Sequence, residues 1–195
     1  MIRKAAYPIM DIILNRHSPR AMSSEPISDQ QLMALFEAAR WAPSSYNNQP
    51  WKFIYAKRDS THWQKFLSLL APANQSWAKN AAALVVTISR DAFYLNNKPS
   101  RTHTFDTGSA WQNLALQGSH DGLVVHGMEG FDYDAAKRVL EIPDGYTVEM
   151  MFAVGKPADA SVLPKEMQAG EEPNDRLPVE QLVCEGVFKE ERLSK

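Results

Sequence analysis

The amino-acid sequence predicts a domain of the α/β or α+β class, in which helices cover a β-sheet. Three observations support this class: helical and extended patterns alternate along the chain, residues 81–89 form a continuous apolar run typical of a strand buried on both faces, and residues 32–39 carry apolar side chains at helical spacing. With 195 residues, 44% of them hydrophobic, the chain can form one well-buried core. One globular domain is therefore the expected organisation.

Helices are predicted at the start of the chain. Pro8 suits a first helical turn, and isoleucines recur at helical spacing after it until Pro19 disfavours continuation. A second helix begins after Ser28, because Ser28 and Gln31 form a capping-box pattern, and it ends before Pro43. Further along, we expect strands over residues 51–56, 81–89, 123–125 and 148–154, and helices over residues 61–70, 105–117 and 134–140.

The chain after Gly155 is harder to place. It is rich in proline and charge, and only residues 177–183 resemble a strand. A long segment without secondary structure is uncommon in a compact domain unless it has a function. Both an arm that packs on a partner subunit and a disordered tail agree with this composition.

The composition argues against several partners and locations. The net charge of −2, with interspersed signs, provides no basic stripe for a nucleic acid backbone. The single cysteine, Cys184, cannot form an internal disulfide. The N-terminal apolar run is interrupted by Asp11 and lacks a small-residue cleavage site, and no segment has the roughly 18 consecutive apolar residues of a membrane span. We therefore expect a cytoplasmic protein without a membrane partner.

Several catalytic motifs are absent from the sequence. There is no G-x-G-x-x-G, no G-x-x-x-x-G-K-[ST] and no G-x-S-x-G, which argues against the dinucleotide fingerprint, the P-loop and the hydrolase elbow. The histidines lack H-E-x-x-H spacing, and His126 with Glu129 is too isolated to indicate a metal site. We therefore predict neither a metal site nor a catalytic triad.

Three polar clusters remain, and the first is NRHSPR at residues 15–20. Its arginines could complement the C-terminal dipole of the preceding helix, which is the favoured explanation for the motif in isolation. They could instead bind a phosphate, because guanidinium groups match phosphate oxygens and Ser18 adds a hydroxyl donor.

The second and third clusters are loops. In RWAPSSYNNQPWKF, residues 40–53, the Asn and Gln side chains carry donor and acceptor on one planar group, which suits the edge of a flavin or pyrimidine ring; an ordinary loop of Ser, Asn and Pro is the alternative. In HGMEGFD, residues 126–132, two glycines allow the backbone to approach a ligand, but a turn before a helix explains this motif as well.

In this order, the clusters resemble the nitroreductase family of FMN-dependent oxidoreductases that use NADH or NADPH. The resemblance is carried by NRHSPR, AARWAPSSYNNQPWKF, NQSWAKNAAALVV, GSAWQNLALQGSHDGL, MEGFD and DRLP, and it extends from about Ile9 to Val183. The elements R-H-S-x-R and A-P-S-S-x-N-x-Q-P-W are specific in combination.

The resemblance implies an α+β fold, a three-layer α/β/α sandwich with a central mixed sheet. It also implies an intertwined homodimer with two FMN sites at the subunit interface. Residues 1–160 would form the FMN-binding domain, and residues 161–195 would be a C-terminal arm of the same domain that packs on the partner subunit and adds to its sheet. The long helix around Trp111 would supply much of the dimer contact.

The resemblance further implies which residues contact the FMN phosphate and the adjacent ring edge. The first motif is matched by Arg16, His17, Ser18 and Arg20. Arg16 and Ser18 are expected near the phosphate, and Arg20 near the N1 and C2 edge. Arg176 matches a late phosphate-binding arginine. Many relatives carry a second cation two positions earlier, where this chain has Asn174, so stabilisation of the N1 edge would depend more on Arg20.

Other residues are expected at the flavin ring. Asn74 matches an asparagine that hydrogen-bonds the ring, and the backbone of Glu129 and Gly130 is expected near N5, where an N–H donor would steer hydride chemistry. The loop residues that would reach the flavin from the partner chain are Pro43, Ser44, Ser45 and Asn47.

The resemblance implies a ping-pong reaction: hydride passes from NADH or NADPH to FMN and then to an electron-poor acceptor, such as a nitroaromatic or a quinone. Because the flavin carries the chemistry, no side chain is predicted as catalytic. Two alternatives stay open. One is a specialised FMN enzyme for enone reduction, dehalogenation or dehydrogenation, in which residues 91–103 would be a lid rather than a surface loop. The other is a flavin-binding protein without significant turnover.

Overall fold

The structure, a computed structural model, describes residues 3–189. Its strands are β1 (Trp51–Lys57), β2 (Ala83–Arg90), β3 (Val124–Met128) and β4 (Tyr146–Gly155). Its α-helices are α1 (Asp11–Asn15), α2 (Asp29–Arg40), α3 (Trp63–Leu67), α4 (Pro72–Ala78), α5 (His103–His120), α6 (Tyr133–Val139) and α7 (Lys165–Gln168). None of the helices in this part of the chain is both long and apolar enough to cross a bilayer.

The four strands form one sheet in the order β1-β2-β4-β3. Each neighbouring pair is antiparallel, and β2 and β4 are the inner strands. The expected mixed character of the sheet is wrong for residues 3–189, because all three strand pairings there are antiparallel.

Two hydrophobic cores lie on opposite faces of this sheet. On one face, α2 and α5 contribute Leu35 and Leu114 to a core that includes Phe152 of β4. On the other face, α3, α4 and α6 enclose a core that includes Trp77 and Met151. The helix, sheet and helix layers confirm the predicted α+β class and the α/β/α sandwich.

Strand β2 confirms the prediction that the apolar run at residues 81–89 forms a strand buried on both faces. Residues 83–89 are all buried, because β2 lies between two strands and has helices on both faces. The strand begins two residues later than predicted, since the N–H of Ala81 still bonds to the carbonyl oxygen of Ala78 at the end of α4. It extends to Arg90, which pairs with Tyr146.

Helices α2 and α5 agree well with their sequence patterns. The backbone N–H of Gln31 donates to Ser28 Oγ at 3.1 Å, and the backbone N–H of Ser28 donates to Gln31 Oε1 at 3.0 Å, which completes the predicted capping box. Helix α5 includes the predicted residues 105–117 and continues through Gly118. Gly122, with a φ of +70°, follows the helix and ends it.

Other element boundaries differ from the prediction. The first helix begins at Asp11 rather than at Pro8. The predicted helix over residues 61–70 is shorter, and it is followed by α4, which the sequence pattern did not indicate. The break occurs where Leu70 forms an isolated bridge with Phe131, and Pro72 then starts the new helix. Strand β3 extends to Met128, so His126 lies in a strand and not in a turn.

The segment after β4 first packs on its own chain. Leu163 is buried in the core beside α3, α4 and α6, and Met167 packs against it. Residues 177–183 contain the 3₁₀ helix Val179–Gln181 and are exposed, and no strand among residues 3–189 pairs with them, so their resemblance to a strand is wrong within the described part of the chain. The last six residues of the predicted arm, 190–195, lie outside the described residues, and packing of the arm on a partner stays a prediction.

Candidate functional site

Arg3 and Arg176 contact Asn174, and Arg16 lies close enough for their charges to act on it. Arg3 donates from Nη1 to the carbonyl oxygen of Arg16 at 2.7 Å and from Nε to the carbonyl oxygen of Asn174 at 2.8 Å. Arg176 donates to Asn174 Oδ1 at 2.8 Å. Burial lowers the pKa of Arg16 most, and the positive charges of Arg176 and Arg3 lower it further. Since no ion pair within residues 3–189 involves these arginines, the cluster favours an anion.

Ser18 links this arginine cluster to a cleft. The guanidinium of Arg16 donates to Ser18 Oγ at 3.0 Å, and Ser18 lines a cleft of about 430 Å³. The remaining lining residues are Trp111, Gly127, Met128, Glu129, Tyr133, Glu149 and Met150. The fold thus brings Ser18 and Glu129, two predicted site residues from distant parts of the sequence, into one cleft.

The walls of the cleft are closely packed on the side of β3. A Cβ atom on Gly127 would lie 2.5 Å from Met150 Cε and 3.2 Å from Trp111 Cζ2, so a side chain there would require Met150 and Trp111 to shift. The indole Nε1 of Trp111 is buried and has no hydrogen-bond partner in the part of the chain that the structure describes. A buried N–H without a partner is uncommon in folded proteins, so this group is a candidate donor to a ligand.

Asn74 and Gly130 form a second predicted contact. Asn74 Nδ2 donates to the carbonyl oxygen of Gly130 at 3.0 Å, and the backbone N–H of Ala71 donates to the same oxygen at 2.9 Å. A Cβ atom on Gly130 would lie 2.8 Å from Asn74 Nδ2, which explains the need for glycine. The bond uses the amide nitrogen of Asn74, so its side-chain oxygen is the atom that can accept from a ligand.

Arg20 is held by a residue that the sequence did not indicate. The carboxylate of Glu171 accepts from the backbone N–H groups of Arg20 and Ala21 at 2.8 and 2.9 Å, and it lies 3.8 Å from the Arg20 guanidinium. Glu171 is about 150 residues away in sequence and belongs to no motif, so only the fold reveals it. The Arg20 side chain remains 37% exposed, so its charge is available to a ligand.

His126 fixes the same segment from β3. Its Nδ1 lies 2.9 Å from the carbonyl oxygen of Pro19, and its ring centroid lies 4.6 Å from that of Trp77. Burial is the largest of the effects that lower the pKa of His126, so the neutral ring donates its Nδ1–H to Pro19. His17, in the segment held this way, is half-buried. No group of three potential metal ligands occurs among residues 3–189.

The loop of residues 43–49 does not line the cleft of its own chain. Tyr46, Asn47 and Gln49 have φ values of 51°, 53° and 48°, a left-handed conformation that is costly for residues other than glycine. The loop is held by the buried carboxylate of Asp106, which accepts from the backbone N–H of Ser45 at 3.0 Å. Such strain is typical of functional loops.

The segment of residues 91–103 packs against this loop. The backbone N–H of Tyr94 donates to Asn48 Oδ1 at 2.9 Å, and the ring centroids of Phe93 and Tyr46 lie 5.8 Å apart. None of these residues lines the cleft. This segment is therefore not a lid over the cleft of its own chain.

The comparison with protein families decides the assignment. The model of the nitroreductase family matches residues 13–75 and 60–156, which together make up most of the chain. The chain belongs to the nitroreductase family. The resemblance that the sequence motifs indicated is therefore confirmed.

Individual nitroreductase-family relatives agree with this assignment. A solved structure described as an oxidoreductase containing FMN is 42% identical to this chain, covers 97% of each chain and superimposes with a TM-score of 0.93. A relative from Archaeoglobus fulgidus, whose name includes NAD(P)H nitroreductase, is 28% identical over 77% of this chain and 86% of its own. The NADH dehydrogenase of Thermus thermophilus is 23% identical over 92% of this chain and 98% of its own.

The nitroreductase match covers most of the predicted site but not all of it. The first motif, the loop at residues 43–47, Asn74, Glu129 and Gly130 lie inside the matched range, whereas Arg176 lies beyond it. The structure nevertheless places Arg176 close enough to Arg16 to lower its pKa. The fold therefore supports the pairing of these two arginines independently of the family match.

Proposed function

We propose that the protein is a homodimeric oxidoreductase that binds FMN in the cleft lined by Ser18 and Glu129. It uses NADH or NADPH to reduce electron-poor acceptors such as nitroaromatics or quinones. The observation that carries this proposal is the cluster of Arg3, Arg16 and Arg176, which meets the cleft at Ser18. An anion site that continues into a cleft suits a ligand with a phosphate at one end and a planar ring at the other.

The phosphate of FMN fits the arginine cluster. Arg16, Ser18 and Arg176 would donate to its oxygens, and its negative charge would oppose the burial and the positive charges of Arg176 and Arg3 that lower the pKa of Arg16. Arg3 adds a third positive charge to this cluster, and its guanidinium donates to the carbonyl oxygen of Asn174. We therefore add Arg3 to the phosphate-binding residues that the resemblance implied.

The ring of FMN fits the cleft. The Asn74 side-chain oxygen and the backbone of Glu129 and Gly130 would bind the polar edge of the ring, with Arg20 near N1 and C2. The buried Nε1 of Trp111 is a further donor without a partner in residues 3–189. When bound, FMN supplies the chemistry of hydride acceptance and donation, while these residues bind and orient it.

A second copy of the chain would complete the site. Pro43, Ser44, Ser45 and Asn47 lie on the strained loop that does not line the cleft of its own chain, so we propose that they reach the cleft of the partner. Large apolar side chains near this loop, Trp41, Tyr46 and Phe105, are 71%, 93% and 77% exposed. Exposed apolar groups of this size are typical of a surface that a partner covers. The C-terminal arm would pack on the same partner.

Successive use of one cleft implies ping-pong kinetics. The nucleotide would transfer hydride and leave before the acceptor enters. The experiment is anaerobic titration of the purified protein, reconstituted with FMN, by NADH and by NADPH, followed by reoxidation with nitroaromatics and quinones. We expect one FMN per chain, bleaching by at least one nucleotide, and a dimer by light scattering. Bound FMN that neither nucleotide bleaches would instead support a flavin-binding protein without turnover.

A further inference from the structure

Three polar side chains from separate elements form a chain of hydrogen bonds beside the cleft. Ser89 of β2 donates its hydroxyl proton to Glu149 of β4, with 2.5 Å between Oγ and Oε1. The same hydroxyl oxygen lies 2.6 Å from Nδ1 of His103, the first residue of α5. Glu149 lines the cleft, and the His103 side chain is 20% exposed. These hydrogen bonds therefore connect solvent at His103 with the cleft at Glu149.

A β-bulge places Glu149 in this position. In the pairing of β2 with β4, Thr87 faces Met150 and Ile88 faces Val148, so Glu149 is the extra residue. Val148 and Met150 pack against the cores on opposite faces of the sheet, although residues two apart on a regular strand share a face. The bulge thus turns Glu149 towards the α5 face, and bulges are frequent next to active sites.

The same three residue types also occur in nucleophilic triads, but the geometry argues against that role. Ser89 has no exposed surface, so a substrate carbonyl cannot reach its hydroxyl. Its proton is directed at Glu149. A hydroxyl that accepts from one group and donates to another is suited to passing a proton along the chain.

Other ionisable groups lie beside the hydrogen bonds that join Glu149, Ser89 and His103. Asp91 lies 4.0 Å from His103 Nδ1, and its carboxylate accepts from Thr147 Oγ1 at 2.8 Å. On the cleft side, burial and then the charges of Glu129 and Glu149 raise the pKa of Tyr133. Tyr133 is therefore a poorer proton donor than an ordinary tyrosine, and Glu149 is the cleft residue that connects with the hydrogen-bond chain.

We propose that Glu149 donates a proton to the acceptor in the cleft and is reprotonated through Ser89 and His103; this inference rests on the proposed function. Reduction of a quinone to a hydroquinone, or of a nitro group to a nitroso group and water, consumes one hydride and one proton. The two electrons arrive with the hydride that NADH or NADPH supplies. The O–H bond of Glu149 breaks as the acceptor oxygen gains the proton.

Reprotonation follows the hydrogen bonds in the opposite direction. Ser89 passes its hydroxyl proton to the Glu149 carboxylate and takes a proton from His103 Nδ1. His103 takes a proton from solvent on Nε2 as Nδ1 gives its proton to Ser89, so no imidazolate forms, and exchange with solvent then restores the Nδ1–H tautomer. No oxidant or reductant beyond the nucleotide and the acceptor is required.

The test compares two acceptors with the FMN-loaded Glu149→Gln variant. p-Benzoquinone needs a proton with its electrons, whereas ferricyanide takes electrons alone. We expect Glu149→Gln to slow reoxidation by p-benzoquinone by about 10²- to 10⁴-fold, the usual contribution of a general acid, and to leave reduction by nucleotide and reoxidation by ferricyanide unchanged. Asp134→Asn, which changes an exposed carboxylate on α6, should leave all three rates unchanged.

Each result has a defined meaning. A wild-type rate with p-benzoquinone, or an equal loss with ferricyanide, would overturn the role of Glu149. A wild-type protein that binds no FMN, or whose FMN no nucleotide reduces, would instead overturn the proposed function.

A second measurement does not depend on turnover. ¹⁵N NMR of histidine-labelled full-length protein should show that His103 carries a proton on Nδ1 in the wild type and loses this preference in Ser89→Ala. Wild-type His103 protonated on Nε2 alone would overturn the relay, because Nδ1 could then give no proton to Ser89.

Discussion

Replacement of Arg16 or Arg176 by alanine separates two explanations of the first polar cluster. Arg16 follows α1 directly, so it could simply complement the dipole of that helix. In that case Arg16→Ala would cost about 0.3–1 kcal/mol of the free energy of unfolding and leave FMN affinity unchanged. The structure favours the other explanation, because Arg16 is close to Arg176 and Arg3 and their charges disfavour its own.

The expected magnitude follows from this arrangement. A hydrogen bond to a charged group contributes about 1.5–3 kcal/mol, so loss of either arginine should raise the dissociation constant of FMN by roughly one to two powers of ten. Without ligand, removal of one of three mutually repelling charges should not lower the free energy of unfolding. Inorganic phosphate should raise the melting temperature of FMN-free wild type more than that of Arg16→Ala.

The assay is titration of FMN-free protein with FMN and with riboflavin, followed by flavin fluorescence. Riboflavin lacks the phosphate, so it should bind wild type, Arg16→Ala and Arg176→Ala with similar affinity. The matched control is Arg138→Ala, which removes an exposed arginine of α6 and should leave both affinities unchanged. Equal losses for FMN and riboflavin would refute the reasoning, because the arginines would then support the fold rather than bind the phosphate.

Three further predictions concern the fold. Ser28→Ala removes the capping bond from the Gln31 backbone N–H to Ser28 Oγ and should lower the free energy of unfolding in urea by about 0.5–2 kcal/mol; an unchanged midpoint would contradict this. Gly118→Ala places a Cβ atom 2.6 Å from Val125 Cγ2 and should cost about 1–3 kcal/mol, whereas Gly108→Ala in the same helix meets nothing within 4 Å and should stabilise by up to about 1 kcal/mol; equal effects would contradict the packing argument. His126→Gln should flatten the fall in stability at acid pH. Burial lowers the pKa of His126 below 6.5, so near this pH the unfolded protein binds a proton at His126 more readily than the folded protein does. The contribution of His126 to the free energy of unfolding is therefore present above pH 6.5 and is lost as pH falls below it. An unchanged pH profile would show that His126 is not the group responsible.

The elements that were predictable from sequence are those in which local and tertiary preferences agree. Helix α2 has a capping box, and its buried face follows the helical period of Leu32, Leu35 and Ala39. Strand β2 is apolar throughout because it is buried on both faces. In both elements, the residues that specify the structure are close together in sequence. Family motifs then predicted the fold class beyond what periodicity could provide.

The differences arise where distant residues decide the local structure. Gly127 resembles a turn residue, yet it lies in β3, where it pairs with Phe152 of β4 and a Cβ atom would come within 2.5 Å of Met150 Cε. Glu171 binds the backbone of Arg20, and no local pattern connects the two positions. Glu149 reaches the cleft because of a β-bulge in β4, and only the register of β4 against β2 reveals this bulge. A single sequence carries no signal for such contacts, since none of them has a local period.

Several site residues are in unfavourable states in the isolated chain. Arg16 faces two like charges, Trp111 buries an N–H without a partner in residues 3–189, and Tyr46 and Asn47 hold a left-handed backbone. Natural sequences are locally consistent except where function requires otherwise. A bound phosphate would remove the first conflict, a ring acceptor the second, and contact with a partner's cleft would offset the third. The positions of these conflicts therefore support one ligand and one second subunit as the components that complete this fold.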